Sequence, residues 1–284
     1  TVAACLTYFT DAEDATGINA SVPVNALIVA NAGINVDVAL SPKGTGAILA
    51  QIPDGTVTGG NKRGTNAVDW QTSRSSSNYV ASGTNSVVSG GYSNQASGIY
   101  SVVSGGYSND ATGLYPTVVG GRSNTASNYY SISGGYSTTA SGYASVALGT
   151  SARADGTAST ALGYYADNRG RPSSLSIGGR NRSDGGHPFQ TNIQNVSVET
   201  TDATSTVLTG NTSASYVNQN RMHVNSAYAF KIMLIAGVTG AGDTKAWELT
   251  GCIKRGASGV PTLVGAVTKT VIAADTGAAT WDCD

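Results

Sequence analysis

Residues 86–170 decide the fold, because their text recurs: SVVSGGYSNQASG (86–98), SVVSGGYSNDATG (101–113), TVVGGRSNTASN (117–128), SISGGYSTTASG (131–142), SVALGTSARADG (145–156) and STALGYYADNRG (159–170). Aligned on the closing turn residue, Gly83, Gly98, Gly113, Asn128, Gly142, Gly156 and Gly170 are spaced by 15, 15, 15, 14, 14 and 14 residues. A helical repeat needs about 33–47 residues, so this period suits one small solenoid coil of two short strands and two turns. Val87/Val88, Val102/Val103, Val118/Val119, Ile132, Val146/Leu148 and Leu162 give each coil an apolar cluster, predicting a narrow stacked core. Ala96, Ala111, Ala126, Ala140 and Ala154 fall one strand later, where the opposite wall must approach closely. The aligned glycines are expected to supply φ > 0 at the corners, with Asn128 as the next-best left-handed residue. At ~4.8 Å per coil, six coils make a rod of roughly 30 Å.

Composition agrees with an all-β chain. Of 284 residues only 12% are charged, about half the usual quarter. The only glutamates are Glu13, Glu199 and Glu248. No window offers the charged and apolar spacing of a surface helix. A hydrophobic share of 40% and a net charge of −1 lie far from the signature of disorder. The balance of 16 basic to 17 acidic residues gives no footprint for nucleic acid. No run of 18 apolar residues exists, which argues against membrane insertion. No signal peptide is legible, and a start at Thr1 reads as a fragment or processed product. Cys5, Cys252 and Cys283 are too few and scattered for a disulfide scaffold or a zinc site, though a Cys252–Cys283 bridge stays open.

Four segments follow from this pass. Residues 1–60 alternate short apolar runs with turns and read as an N-terminal β segment serving as shaft or attachment. Residues 61–82 are polar and read as a connector or cap, with Trp70 as the plug of the solenoid end. Residues 83–182 form the repeat roll. Residues 183–284 read as a C-terminal β domain, possessing roughly seven strands in a sandwich-like arrangement and cut short at its end. Within it Phe230, Ile232, Leu234 and Ala236 alternate onto one face, as do Trp247, Leu249, Gly251 and Ile253. Further runs stand at 196–198, 207–208, 222–224, 263–267 and 271–272.

Catalytic patterns are weak. His187 and His223 are the only imidazoles and stand in polar sequence, with no Ser-His-Asp arrangement or paired-His spacing. GVTGAG (237–242) lacks the Lys-Ser/Thr of a phosphate loop and reads as a hairpin turn. A glycanase needs two carboxylates about 5–9 Å apart. The roll offers Asp110, Asp155 and Asp167, whose places within their coils are read as different. No enzyme activity, catalytic residue, metal or cofactor is therefore expected.

A binding surface has more support. Of 14 tyrosines, 11 lie between Tyr79 and Tyr165. Tyr92, Tyr107, Arg122 and Tyr136 share one place in successive coils; Tyr100, Tyr115 and Tyr130 share another. Equivalent places in a solenoid stack, predicting two aromatic stripes suited to sugar rings, or alternatively to sealing grooves between chains. Arg169, Arg171, Arg180 and Arg182 form a second candidate, either gripping an anionic polysaccharide or capping the roll against the next domain. Between residues 71 and 150 only Arg74, Asp110 and Arg122 carry charge. So thin a solenoid is expected to bury a second face against identical chains.

SVALGTSARADG and STALGYYADNRG resemble the head repeats of trimeric autotransporter adhesins, a left-handed parallel β-roll in which three chains pack side by side. That resemblance covers residues 83–180, without the stalk coiled coil or anchor strands of that family. The flanks, NVDVALSPKGTGAILAQIPDGTVTGGNKRG (35–64), TTDATSTVLTG (200–210) and TGAGDTKAWELTGCIKRGA (239–257), are similar to bacteriophage tail-fibre and tail-spike proteins. Together they imply an all-β, elongated homotrimer with a central left-handed parallel roll. The function they imply is a virion tail fibre or tail spike, located on the virion outside the cell. It would adhere without catalysis to a host bacterial surface receptor, a polysaccharide foremost, and would assemble with other tail proteins. The alternatives are a bacterial adhesin head, a depolymerase spike with an inter-chain site, and a purely structural shaft.

Overall fold

The computed structural model describes residues 42–178, 190–195, 226–238 and 242–283. Among them there is no α-helix; one 3-10 turn stands at Thr276–Ala278. A parallel sheet takes one strand per coil: Ile48–Leu49, Val68–Asp69, Val87–Val88, Val102–Val103, Thr117–Arg122, Ile132–Tyr136, Val146–Thr150, Thr160–Tyr164 and Ser174–Gly178. Gln190–Gln194 closes it antiparallel. A second parallel sheet runs through Gln95–Ala96, Asp110–Ala111, Thr125–Ala126, Thr139–Ala140 and Arg153–Ala154. This is a parallel β-solenoid.

Strand alternation sorts the apolar clusters. Val88, Val103 and Val118 point inward and are fully buried against Ala96, Ala111 and Ala126. Val87 and Val102, in the preceding register, are only half-buried. Val119, Leu148 and Leu162, expected in the core, face outward, and the inward places in the later coils belong to Ala147 and Ala161. The core therefore narrows from Val-plus-Ala to Ala alone at Ala140–Ala166. The change of period has a visible cause. Thr117 pairs with Ile132 and Val118 with Ser133, but then Gly121 pairs with Gly135. Two residues, Val119 and Gly120, oppose Gly134 alone, a β-bulge that absorbs the fifteenth residue.

Gly170 has the expected positive φ, +72°, but the other corner glycines work differently from expectation. Gly83, Gly98, Gly113, Gly142 and Gly156 do not have positive φ. A Cβ on Gly98 would instead overlap the Gly113 carbonyl oxygen, and one on Gly83 that of Gly98. The glycines set how closely coils stack. Left-handed backbone falls two residues later, at Asn85, Tyr100, Tyr115, Tyr130, Ala144 and Ala158, with φ between 52° and 58°. Each such non-glycine residue costs about 1–2 kcal/mol, offset by a bond to the coil before, such as Tyr115 N–H to the Ile99 carbonyl at 3.0 Å.

The ladder also starts upstream of the first repeat quoted. GTNAVD (64–69) and GTGAIL (44–49) restate GTNSVV (83–88), and Ile48 pairs with Val68 and Val68 with Val87. Insertions break the period, and Asp69 occupies a core place. It is neutralised by Arg63, 2.7 Å away and equally buried. Arg63, Gln71 and Arg74 pack this end, Arg74 donating to the carbonyls of Tyr79, Thr58 and Gln71. Trp70, expected as the plug, points outward with 45% exposure, since it follows inward Asp69 in an extended strand.

One core feature escaped the sequence reading. Asn94, Asn109 and Asn124 are fully buried and clamp neighbouring coils. Asn109 Nδ2 donates to the Gly105 and Gly121 carbonyls at 2.8 and 2.9 Å, while its Oδ1 accepts from the Asn124 N–H at 3.0 Å. Asn109→Ala takes these partners from the Gly105 carbonyl and the Asn124 N–H, while the Gly121 carbonyl keeps the Tyr107 N–H; it is expected to cost about 2–3 kcal/mol, read as a lower urea midpoint. A midpoint within error of wild type would show that the ladder contributes nothing to stability.

The C-terminal region forms an antiparallel sheet of Ser226–Gly237, Thr244–Arg255, Thr262–Leu263 and Thr268–Ala274. The predicted alternation is real: Phe230 pairs with Gly251, Ile232 with Leu249 and Leu234 with Trp247. The second layer a sandwich requires is not among the described residues, and the runs at 196–198, 207–208 and 222–224 lie outside them. Cys252 is a free thiol, so no bridge to Cys283 is formed.

Candidate functional site

Parallel in-register coils turn a sequence period into a straight column. Tyr92 pairs with Tyr107, Tyr107 with Arg122, Arg122 with Tyr136, Tyr136 with Thr150 and Thr150 with Tyr164. The structure thus brings the first stripe together and extends it by two coils. Tyr92 and Tyr107 stack at 5.2 Å and 15°. The Arg122 guanidinium then lies between two rings, 5.2 Å from Tyr107 and 5.9 Å from Tyr136.

The second stripe is tighter. Tyr100 and Tyr115 stack at 5.0 Å and 4°, Tyr115 and Tyr130 at 5.1 Å and 1°. Tyr143 meets Tyr130 edge-on at 5.7 Å and stacks on Tyr129 at 6.3 Å. These rings spend their faces on each other, so a ligand approaching from the side meets ring edges and hydroxyls. The expectation of flat faces offered to sugars fails for Tyr107 and Tyr115, which are covered on both sides. Each stacked pair contributes about 0.5–1.5 kcal/mol. The open faces are at column ends and beside small residues.

Arg169 and Arg171 stand at the far end of the roll. Arg169 Nη1 donates to the Tyr228 hydroxyl of the C-terminal sheet at 2.9 Å. Arg171 is buried, and burial, with the charge of Arg169 beside it, holds its guanidinium below its ordinary pKa. The Arg169 side chain thus reaches the C-terminal sheet, and that of Arg171 lies inside the end of the roll. Arg180, Arg182, His187 and His223 lie outside the described residues.

The roll carboxylates differ in environment. Asp110 and Asp167 do share a column, through Thr125, Thr139 and Arg153, contrary to the sequence reading. Four coils separate them, about 19 Å, beyond the reach of a glycosidase pair. Asp155 is bound by Arg153 and by the Ser141 hydroxyl. Burial pushes the Asp110 carboxyl above its ordinary pKa, and its Oδ1 has no partner among the described residues. Also among the described residues, no three His, Cys, Asp or Glu gather to hold a metal, and no helix is long and apolar enough to cross a membrane.

Comparison with known families places a match inside this frame. Residues 140–166 match two copies of the YadA head domain repeat. The match coincides with the alanine-only part of the core; the valine-cored, asparagine-clamped coils lie before it. No curated protein and no solved structure matches the chain.

Proposed function

We propose that this chain is the head of a homotrimeric surface adhesin, extracellular, whose roll presents tyrosine- and arginine-bearing columns to a ligand and binds it without turnover. The observation that carries the reading is the parallel roll itself, with an adhesin-head repeat matched at residues 140–166. The outward side of its larger sheet supports self-association. Val87, Val102, Thr117, Ile132 and Val146 form one half-buried, mostly aliphatic column, and Val119 and Ile177, at 53% and 46% exposure, belong to a second. A row of aliphatics of this length is a surface that chains cover with one another. Three copies of a weak site fixed on one rod gain affinity through effective concentration.

The bacterial source is preferred to the phage source because the match lies in the roll, whereas the tail-fibre resemblance rests on the flanks. Absence of turnover is proposed because Asp110 and Asp167 lie four coils apart and Asp155, in the coil next to Asp167, is already engaged by Arg153 and the Ser141 hydroxyl. Light scattering should give three times 28.6 kDa, about 86 kDa; a persistent 28.6 kDa species sinks the trimer. Beads coated with the protein should adhere to cells without releasing reducing sugar. Release of sugar would replace the adhesin with a depolymerase.

A further inference from the structure

The column through Arg122 contains a gap. Its ring-to-ring step is 5.2 Å where tyrosines are adjacent, and Tyr136 and Tyr164 are two steps apart with only Thr150 between them. One face of Tyr136 is taken by the Arg122 guanidinium. The other looks across Thr150, whose short side chain cannot fill the height of a ring. Tyr164 stands on the far side, braced edge-on by Tyr165 at 4.6 Å and 80°. Both bounding tyrosines are about half exposed, at 48% and 47%. A six-membered ring above Thr150 would lie one ladder step from each.

We propose that Tyr136, Thr150 and Tyr164 form a slot for one pyranose ring of an acidic glycan, with Arg122 pairing the carboxylate of a neighbouring sugar. This rests on the adhesive reading and names the ligand class. A pyranose has an apolar C–H face that suits the open ring of Tyr136 and a rim of hydroxyls that suits the Thr150 and tyrosine hydroxyls. The charge decides for an acidic chain. Arg122 is exposed, makes no ion pair with a carboxylate among the described residues, and lies on the opposite face of the same ring that lines the slot. A guanidinium held between two rings is fixed in orientation before a ligand arrives, so little side-chain freedom is lost on pairing.

The decisive variant is Thr150→Tyr. It continues the ladder through a strand position whose φ is not positive, so the roll should keep or raise its melting temperature while the slot is filled. Galacturonic acid hexamer is the probe and cellohexaose the neutral control, both followed by calorimetry on the full chain. Wild type should bind the uronate hexamer, with a loss of about tenfold or more in Thr150→Tyr and a similar loss in Arg122→Gln. Cellohexaose should bind more weakly and be insensitive to Arg122→Gln. Uronate binding unchanged in Thr150→Tyr overturns the slot, as does a wild type that binds neither sugar. Uronate binding lost only in Arg122→Gln also overturns it, leaving a purely ionic contact. The bead assay separates the two readings: cell adhesion with no sugar binding removes the slot alone, and no cell adhesion by wild type removes the adhesin.

Discussion

Val103→Asp is expected to unfold the roll. Val103 is fully buried, its register neighbours are Val88 and Val118, and the wall opposite is Ala96, Ala111 and Ala126. The cavity is one side chain wide, so the new carboxyl can neither reach water nor find a donor, since the backbone N–H groups around it already bond the next coil. An unpaired buried carboxylate costs about 5 kcal/mol or more, most of the stability of a domain this size. The loss has a pH sign. Burial raises the folded-state pKa of the new group above the unfolded value near 3.9, so the penalty is smallest below about pH 4 and grows as pH rises through the folded pKa. Circular dichroism melts at pH 4 and pH 7 check both parts, and an unchanged midpoint at pH 7 would misplace the core.

Gly98→Ala should cost about 3 kcal/mol or more, more than a glycine-to-alanine change usually does. The added methyl meets not a flexible side chain but the Gly113 carbonyl of the next coil, backbone that runs between the paired strands Asp110–Ala111 and Thr117–Arg122. Relief requires spreading the coils and lengthening several hydrogen bonds together, the overpacking penalty in a one-dimensional stack. Gly90→Ala is the matched control: its φ is +133° with nothing within 4 Å of the new Cβ, so it suffers backbone strain only. Gly90→Ala thus gives the scale of backbone strain alone, which Gly98 with its non-positive φ does not incur; a Gly98→Ala cost no greater than the ~1 kcal/mol of an ordinary glycine replacement would show that coil spacing does not require glycine there.

The solenoid was legible because a parallel stack makes each coil face its own copy, so the repeat in the text is the repeat in space. Which residue of each Val pair is buried was not legible, because both read as apolar and only the pleat decides. The coils at Val68 and Ile48 were hidden by insertions between them, and Asp69 disguised the first. The role of the glycines was mistaken because a missing Cβ serves either a positive φ or a close neighbour, and sequence does not separate the two. The buried asparagines read as turn residues; their recurrence on the core side of Gln95, Asp110 and Thr125 was the signal available. For the candidate site the columns were foreseen, but ring orientation was not, and orientation decides which faces a ligand can touch.

The asparagine clamps bear on how such a rod responds to force. Hydrogen bonds between coils point along the long axis, so a pull on the two ends loads them in tension and strips coils one after another. Asn94, Asn109 and Asn124 reinforce their coils with side-chain bonds, while the equivalent places further on hold Thr138 and then Ala152. The alanine-cored coils are held instead by longer backbone ladders, five residue pairs between Val146–Thr150 and Thr160–Tyr164 against two between Val87–Val88 and Val102–Val103, and by Asn168 Oδ1 accepting from the Asp155 N–H. Tension along the rod is therefore carried more by side chains in one half and more by backbone in the other.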